Sequence, residues 1–585
     1  MKNVHEYLIP QIILQGKTYT AREAELQGLE LTQTAEDENG VVFLKIRLEN
    51  HSGRGIRLDK LNWHREENQE DFLSRPGLLL YLEGWQMASP CGVRGYGDCD
   101  YHFGSSYLQY AVAEPEDYSA LPNHFRADNM MMFRDPDTSQ TLLMGFVTTG
   151  DQFGHFKTEL SENGVLSLDV RSSCDGMLVE DGETVCSETL ALLWGRDGYA
   201  LQCRYASLLG RKMGARTEMD PPVGWCSWYY YFDNVTGEDI RRNVGFLKEN
   251  QDRFPMRYIQ LDDGYQRALG DWLICNEKFP GGLKAVADTI REGGFIPALW
   301  LAPFLAEENS ILLQEHPEWM IHDPEGNVIM KFPWRGHQAA VLDGTHPEVQ
   351  AHFRSLFAQI RKLGFDYVKL DFMMTAASVR EGVLADPGAT RAQALRRGLE
   401  AIREGFGEDG YILGCTVPFG PVIGLVDGER ISTDITPYWA PDREVNDEAP
   451  TVPNVCRNVI RHTYMNKRLW NNDPDTLIVR DDNTELQENE VRLWYEIVRL
   501  TGGMLMMSDN FPTLSADRSR LIEKLLKEPQ AYDARPVDFW TKGVCSVLEA
   551  VHKKSGAVET ALFNFRDERE TVRGRVLEPH SCVVL

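Results

Sequence analysis

Between residues 223 and 509, short apolar segments alternate with longer stretches of helical pattern, and no other feature of the chain constrains its fold as tightly. The segments are "VGWCSWYYY" (223–231), "RYIQLDD" (257–263), "IPALWLAPF" (296–304), "DYVKLDF" (366–372), "YILGCTV" (411–417), "RISTD" (430–434), "RLWNNDPD" (468–475) and "GMLMMSD" (503–509). Stretches such as "TRAQALRRGLEAIREGF" and "ENEVRLWYEIVRL" separate them. A strand that leads through a helix to another strand makes a parallel βαβ unit. Eight such units in about 290 residues are what a (β/α)8 barrel requires. Around "RISTD" the intervening helix reads as short or irregular.

The flanking chain has a different rhythm. From residue 1 to about 215, segments such as "VVFLKIRLEN", "TLLMGFVTTG", "GVLSLDVRSS" and "ETLALLWG" alternate between Gly, Asp and Asn breaks, as in a β-sandwich or barrel. Pro221 and Pro222 mark the change of pattern. From about 530, "VCSVLEAVHK", "ETALFNFR" and "HSCVVL" read as strands again. At 585 residues the chain exceeds the roughly 250–300 at which single cores stop growing. The expected architecture is multidomain α/β with β-domains: an N-terminal β-sandwich over 1–215, a central (β/α)8 TIM barrel over 220–528, and a small C-terminal β-sheet domain over 530–585.

A formal net charge of -27 argues against a surface that tracks phosphates, so no nucleic-acid partner is expected and a neutral ligand fits better. No apolar run of about 18 residues occurs, and the opening "MKNVHEYLIPQIILQGK" lacks the pattern of a secretory leader. A cytoplasmic protein with no membrane partner is expected. Eleven cysteines without a CxxC pair read as reduced thiols, and without an HExxH, a Cys/His cluster or an EF-hand loop no metal is expected.

In such a barrel the active site lies at the C-terminal mouth of the strands. There "YIQLDDGY" carries Asp262 and Asp263, "YVKLDF" carries Lys369 and Asp371, and "ERISTD" carries Arg430 and Asp434. Trp300, Trp225, Trp228 and Tyr229 add aromatic surface, although Trp225 and Trp228 serve equally well as core filler. Carboxylates beside flat aromatics suit a sugar. Glycoside hydrolysis needs two carboxyl groups, one to attack or activate water and one to protonate the leaving oxygen. Asp371 and Asp434 form that pair, with Lys369 favouring the ionised Asp371 that a nucleophile must be. Arg430 would likewise favour ionised Asp434 unless it holds a substrate hydroxyl. Asp262 and Asp263 are adjacent, so a twist or bulge is needed for both to reach one ligand. Asp473 and Asp475 of "NNDPD" read as turn residues and stay outside the site.

In order and spacing, "GWCSWYYY", "QLDDGYQ…GDW", "FIPALWLAPF", "YVKLDF", "GEDGYILGC", "VDGERI" and "LWNNDPD" resemble glycoside hydrolase family 36, the mostly microbial α-galactosidases, over about 220 to 510. The resemblance implies a retaining mechanism on a β-sandwich, (β/α)8 barrel and C-terminal β-domain. It implies Asp371 as nucleophile and Asp434 as acid/base, with Asp262 and Asp263 on the 4- and 6-hydroxyls. Trp300 is then an apolar wall, Lys369 and Arg430 hydroxyl-binding cations, and Tyr229 a lining aromatic. Cys415 is a further binding position, and Trp85 of "EGWQMASPCG" resembles a tryptophan that leans over the pocket. The chain departs from the family at Thr416, where Cys-Gly-x-Pro is common, and at Ser432 and Thr433, where many members have Gly-Pro. These positions fall near C2 and the leaving group.

The expected function is hydrolysis of terminal α-linked galactose from oligosaccharides by double displacement, with a small carbohydrate as partner and no cofactor. Homo-oligomerisation is an expectation carried by the family alone. The rivals are an α-N-acetylgalactosaminidase or α-galactosyl transferase on the same scaffold, and a non-catalytic sugar-binding protein. Thr416 and Val417 add bulk where an acetamido group needs space, which favours galactose; both carboxylates are present, which disfavours a binding protein.

Overall fold

The computed structural model describes residues 4–66, 69–104, 107–441 and 446–585. All eight expected barrel strands form: β1 (Val223–Cys226), β2 (Tyr258–Leu261), β3 (Ile296–Leu301), β4 (Tyr367–Leu370), β5 (Tyr411–Gly414), β6 (Gly428–Arg430), β7 (Asn471–Asp473) and β8 (Leu505–Met507). They pair in parallel in the order β7-β6-β5-β4-β3-β2-β1-β8. The remaining seam is bridged where Met504 N–H donates to Asn472 O at 2.8 Å and Leu477 N–H to Met506 O at 2.7 Å. The barrel is thereby nearly closed.

Seven strands are shorter than the apolar segments that contain them, whereas β6 begins two residues before "RISTD" and shares only Arg430 with it, the rest of that segment forming the loop at the mouth. Inside the sheet, Cys226, Tyr258, Ala298, Tyr367, Tyr411, Leu413, Met504 and Met506 form a separate small core. Tyr367 meets both Tyr258 and Tyr411 edge to face. On the outer face, Trp225, Ile259, Leu299, Val368 and Ile412 pack into the large core shared with the helices. The helix Arg391–Phe406 begins at a capping box in which Thr390 and Gln393 satisfy each other's backbone N–H groups. Helix Glu488–Thr501 covers "ENEVRLWYEIVRL". The helix between β5 and β6 is only Phe419–Val422, as short as the sequence implies.

Two antiparallel sheets precede the barrel, of six and eight strands, and residues of both share one apolar core. Trp63, Phe156 and Val170 come from one sheet, and Leu80, Phe133 and Leu142 from the other. The alternation read in the sequence is thus that of a sandwich whose inward positions face a partner sheet. A four-stranded antiparallel sheet, Tyr532–Pro536, Val547–His552, Val558–Asn564 and Ser581–Val584, follows the barrel. Between β3 and β4 lies an unforeseen three-stranded sheet of Leu305–Glu307, Met330–Trp334 and His337–Val341. All eleven cysteines are free, and among the described residues no helix is long and apolar enough to cross a membrane.

Candidate active site

At the C-terminal ends of the strands opens a cavity of about 490 Å³, within the size range of small-molecule sites. Six of the ten residues singled out from the sequence line it: Asp262, Asp263, Trp300, Lys369, Asp371 and Asp434.

Lys369 and Asp371 lie two residues apart at the end of β4, so the pleat sends both side chains to one face. The ladder continues one step past the strand, with Asp371 N–H donating to Leu301 O at 2.8 Å, before Phe372 turns out at φ 51°. Lys369 Nζ stands 3.2 Å from Asp262 Oδ2 and 3.7 Å from Asp371 Oδ2, one buried cation between two carboxylates. Asp371 Oδ1 accepts from Thr416 Oγ1 at 2.6 Å and from Phe372 N–H at 2.8 Å. Its Oδ2 accepts from Trp300 Nε1 at 3.0 Å. Burial opposes ionisation of Asp371, but Lys369 and these three donors outweigh it and hold the pKa below the ordinary carboxylate value. Asp371 is thus a rigidly held carboxylate.

Asp262 and Asp263 both reach the cavity because β2 has already ended at Leu261, so the alternation of a strand no longer separates them. Asp263 N–H donates to Asp262 Oδ1 at 2.9 Å, and Gly264 at φ 113° carries the chain away. Arg335, at the tip of the inserted sheet, reaches Asp263 Oδ2 at 2.6 Å. Burial pushes the Asp263 carboxyl up to about 6, against the pull of Arg335.

Asp434 lies four residues past β6 with its side chain 46% exposed, the open position among these carboxylates. Its Oδ1 accepts from Arg430 Nη1 at 2.9 Å. The same guanidinium reaches Asp473 Oδ2 through Nε and Asp475 Oδ1 through Nη2, each at 3.0 Å. One cation therefore faces three carboxylates.

Four sequence expectations need correction. Arg430 is 3% exposed and does not line the cavity; its Nη1, Nε and Nη2 reach Asp434, Asp473 and Asp475, so in this structure it positions carboxylates. Tyr229 lies in the short helix Trp228–Tyr231 past β1, and its hydroxyl turns inward to donate to Asp475. Trp228, one residue earlier, lines the cavity instead. Cys415 sits behind Thr416, its thiol 4.0 Å from Met87 Sδ. Trp85 is buried edge-on against Phe153 in the core, and Met87 and Ala88 of the same segment reach the cavity in its place. Asp473 and Asp475, set aside as turn residues, belong to the layer beneath the site through Arg430.

Thr416 and Thr433, singled out as departures from the family, also line the cavity, but much of the remaining lining was missed. Tyr107 and Tyr110 come from the chain before the barrel, Phe332, Pro333 and Trp334 from the inserted sheet, and Glu448, Ala449 and Pro450 from the β6–β7 connection. Phe332 stacks on Trp334, and both pack on Phe372 next to Asp371. The alternation in "MKFPWRGHQAA" was the available signal.

One buried group has metal-ligand types: Glu83, Cys91 and His462. Its atoms are already engaged. His462 Nε2 meets Glu83 Oε1 and Nδ1 meets Ile431 O, both at 2.8 Å, while Cys91 Sγ faces Asn458 Oδ1 at 3.7 Å. Both ring nitrogens face acceptors, so His462 is an imidazolium that joins the leading sheets to the loop carrying Asp434. Burial works against that charge, but Cys91 and Glu83 overcome it and raise the pKa well above the usual histidine value.

Residues 225–395 match the family model described as Melibiase. The alpha-galactosidase AgaA of Geobacillus stearothermophilus is 24% identical over 319 residues, which is 51% of this chain and 40% of that protein. The A type blood alpha-D-galactosamine galactosaminidase of Flavonifractor plautii is 38% identical over 105 residues, covering 17% of this chain and 9% of that one. The chain thus matches less than half the length of these curated relatives. Among solved structures, the alpha-galactosidase TtGalA of Thermus thermophilus, in complex with p-nitrophenyl alpha-D-galactopyranoside, superposes with a TM-score of 0.69 at 23% identity. That match covers 92% of this chain and 97% of the other, so the fold is shared along nearly the whole length.

Proposed function

We propose, for a chain that belongs to glycoside hydrolase family 36, the activity of a retaining exo-α-galactosidase that removes terminal α-linked galactose from oligosaccharides. The observation that carries this reading is the contrast between two carboxylates in one cavity: Asp371, buried and held ionised, and Asp434, half exposed at its edge. Asp371 attacks the anomeric carbon while Asp434 gives its proton to the leaving oxygen. Asp434 then takes a proton from water, which attacks the same carbon, releases Asp371 and leaves galactose with retained configuration. Asp262, Asp263 and Lys369 meet the sugar hydroxyls, and Trp300 offers its face to the C–H groups.

Galactose is preferred to its 2-acetamido analogue in this reading, because the buried Thr416 side chain stands at the wall where family members have glycine. The domain limits 1–215, 220–528 and 530–585 belong to the same proposal, as does a cytoplasmic site of action, which suits eleven free thiols.

The test is hydrolysis of nitrophenyl α-galactoside and α-N-acetylgalactosaminide by the wild type and Asp371→Gly, with and without azide. The galactoside should be cleaved by the wild type, spared by the variant, and converted by the variant with azide into β-galactosyl azide. Near-normal turnover by Asp371→Gly would sink the nucleophile assignment. Cleavage of the acetamido substrate alone would reverse the sugar assignment.

A further inference from the structure

We infer that Asp475 is a positioning residue for the acid/base: it fixes Asp434 from two sides and, through Arg430, governs whether Asp434 holds the proton that a poor leaving group needs. This rests on the α-galactosidase reading of Asp434. Asp475 lies two residues past β7, is buried, and does not line the cavity, so it acts only through other residues. Its backbone sits at φ 83°, a left-handed conformation uncommon for a residue with a side chain.

Both carboxylate oxygens of Asp475 are tied to Asp434 through one neighbour. Oδ2 accepts from the N–H of Ile435, the residue after Asp434, at 2.9 Å and also from the Tyr229 hydroxyl. Oδ1 accepts from Thr476 N–H at 2.7 Å and meets Arg430 Nη2 at 3.0 Å, the guanidinium whose Nη1 holds Asp434. The same loop is fastened to β7 and its turn where Ile431 N–H donates to Asp473 O at 3.0 Å and Ser432 Oγ to Pro474 O at 3.1 Å. The backbone beside Asp434 and the cation on its side chain thus both depend on one buried carboxylate.

The charges around Asp475 give the direction of the effect. Arg430, Asp434, Asp473 and Tyr229 face it, and burial pushes its carboxyl up to about 7 against the pull of Arg430, with Asp434 and Asp473 acting in the same sense as burial. Tyr107 and Cys415 also lie in the field of Asp434. Burial pushes both of these and the Tyr229 hydroxyl up, so all three stay uncharged around neutral pH. Asp434 and Asp475 share one guanidinium, so a charge on either disfavours a charge on the other. While Asp475 is ionised it offsets Arg430, and the proton on Asp434 is favoured. Without that charge Arg430 favours ionised Asp434, which cannot protonate a leaving oxygen. A departing sugar needs that proton, whereas a dinitrophenolate leaves as a stable anion.

The experiment records pH profiles of kcat/KM for an α-galactosyl disaccharide and for dinitrophenyl α-galactoside in the wild type, Asp475→Asn and Tyr229→Phe. Asp475→Asn keeps the shape and removes the charge, so the basic limb on the disaccharide should move to lower pH by about one unit, a loss of about tenfold above that limb. The dinitrophenyl substrate should stay within about threefold, which also reports a folded site with a working nucleophile. Tyr229→Phe removes a donor that favours ionised Asp475 and should move the limb in the same sense by less. An equal loss on both substrates at every pH, or a basic limb that stays in place, would reduce Asp475 to a structural role and overturn the inference while leaving the α-galactosidase reading in place. Should Asp475→Asn fail to fold, the limb of Tyr229→Phe decides by the same criterion. A wild type inactive on both substrates would remove that reading and this one with it.

Discussion

Replacing Thr416 with valine removes one hydroxyl and nearly preserves the shape of the side chain. Thr416 is 4% exposed, and its Oγ1 donates to Asp371 Oδ1 at 2.6 Å. A hydrogen bond to a charged group contributes about 1.5–3 kcal/mol. At about 1.4 kcal/mol per factor of ten, its loss reduces the ratio of ionised to neutral Asp371 at a given pH by roughly one to two orders of magnitude. The sign is definite. Asp371 is held below its ordinary pKa, so loss of a donor moves that pKa upward, and the acid limb of the pH profile of kcat/KM must follow it. The deficit of Thr416→Val is therefore largest at low pH and shrinks as pH rises. Thr416→Ser, which keeps the hydroxyl, should keep the wild-type limb. Thr416→Gly adds a second readout. Thr416 sits at φ 49°, a left-handed conformation that costs a β-branched residue about 1–3 kcal/mol, so relief of that strain should offset part of the lost hydrogen bond in the glycine variant, which should still show the shifted limb. An acid limb that stays at its wild-type pH in Thr416→Val would refute the reasoning. A loss in Thr416→Gly that is equal at every pH, with Thr416→Val unchanged, would mean that Thr416 acts through its bulk alone.

Two further outcomes follow from the charges beneath the site. Arg430→Met leaves Asp434, Asp473 and Asp475 facing one another without a cation and should cost about 3–5 kcal/mol, more as pH rises through the carboxyl of Asp475, which burial pushes up to about 7; urea unfolding across pH would measure this, and an unchanged midpoint would contradict it. His462→Gln breaks the buried contact with Glu83 and should destabilise by a similar amount. Because the folded pKa of His462 is raised, its stabilisation is fully present below the unfolded value of about 6.5 and is lost as pH rises through the folded value. Thermal midpoints of wild type and variant should therefore differ most at low pH and converge at high pH; a gap that widens with pH would refute the imidazolium.

The barrel was legible because its evidence is local. Seven of the eight apolar segments contain their strand and the eighth, "RISTD", meets its own at Arg430, and the rule that strand ends face the site points to Asp262, Asp371 and the loop after β6 without knowledge of any contact. The layer that each side chain occupies was not legible. Arg430 reads as a free cation until β7 places Asp473 beside it and the following turn places Asp475 there, a pairing between residues more than forty positions apart. Trp85 and Met87 are two residues apart in the chain, and only the packing of the leading sheets on the barrel decides which is core and which is wall. Sequence alone determined the strand order and the chemical types at the mouth, because periodicity and strand ends are properties of neighbouring residues. Tertiary structure decided which carboxylates share Lys369, which share Arg430, and that Tyr107, Trp334 and Glu448 complete the cavity. Those outcomes depend on long-range docking, where one cation is divided among whichever carboxylates the folded chain brings within reach.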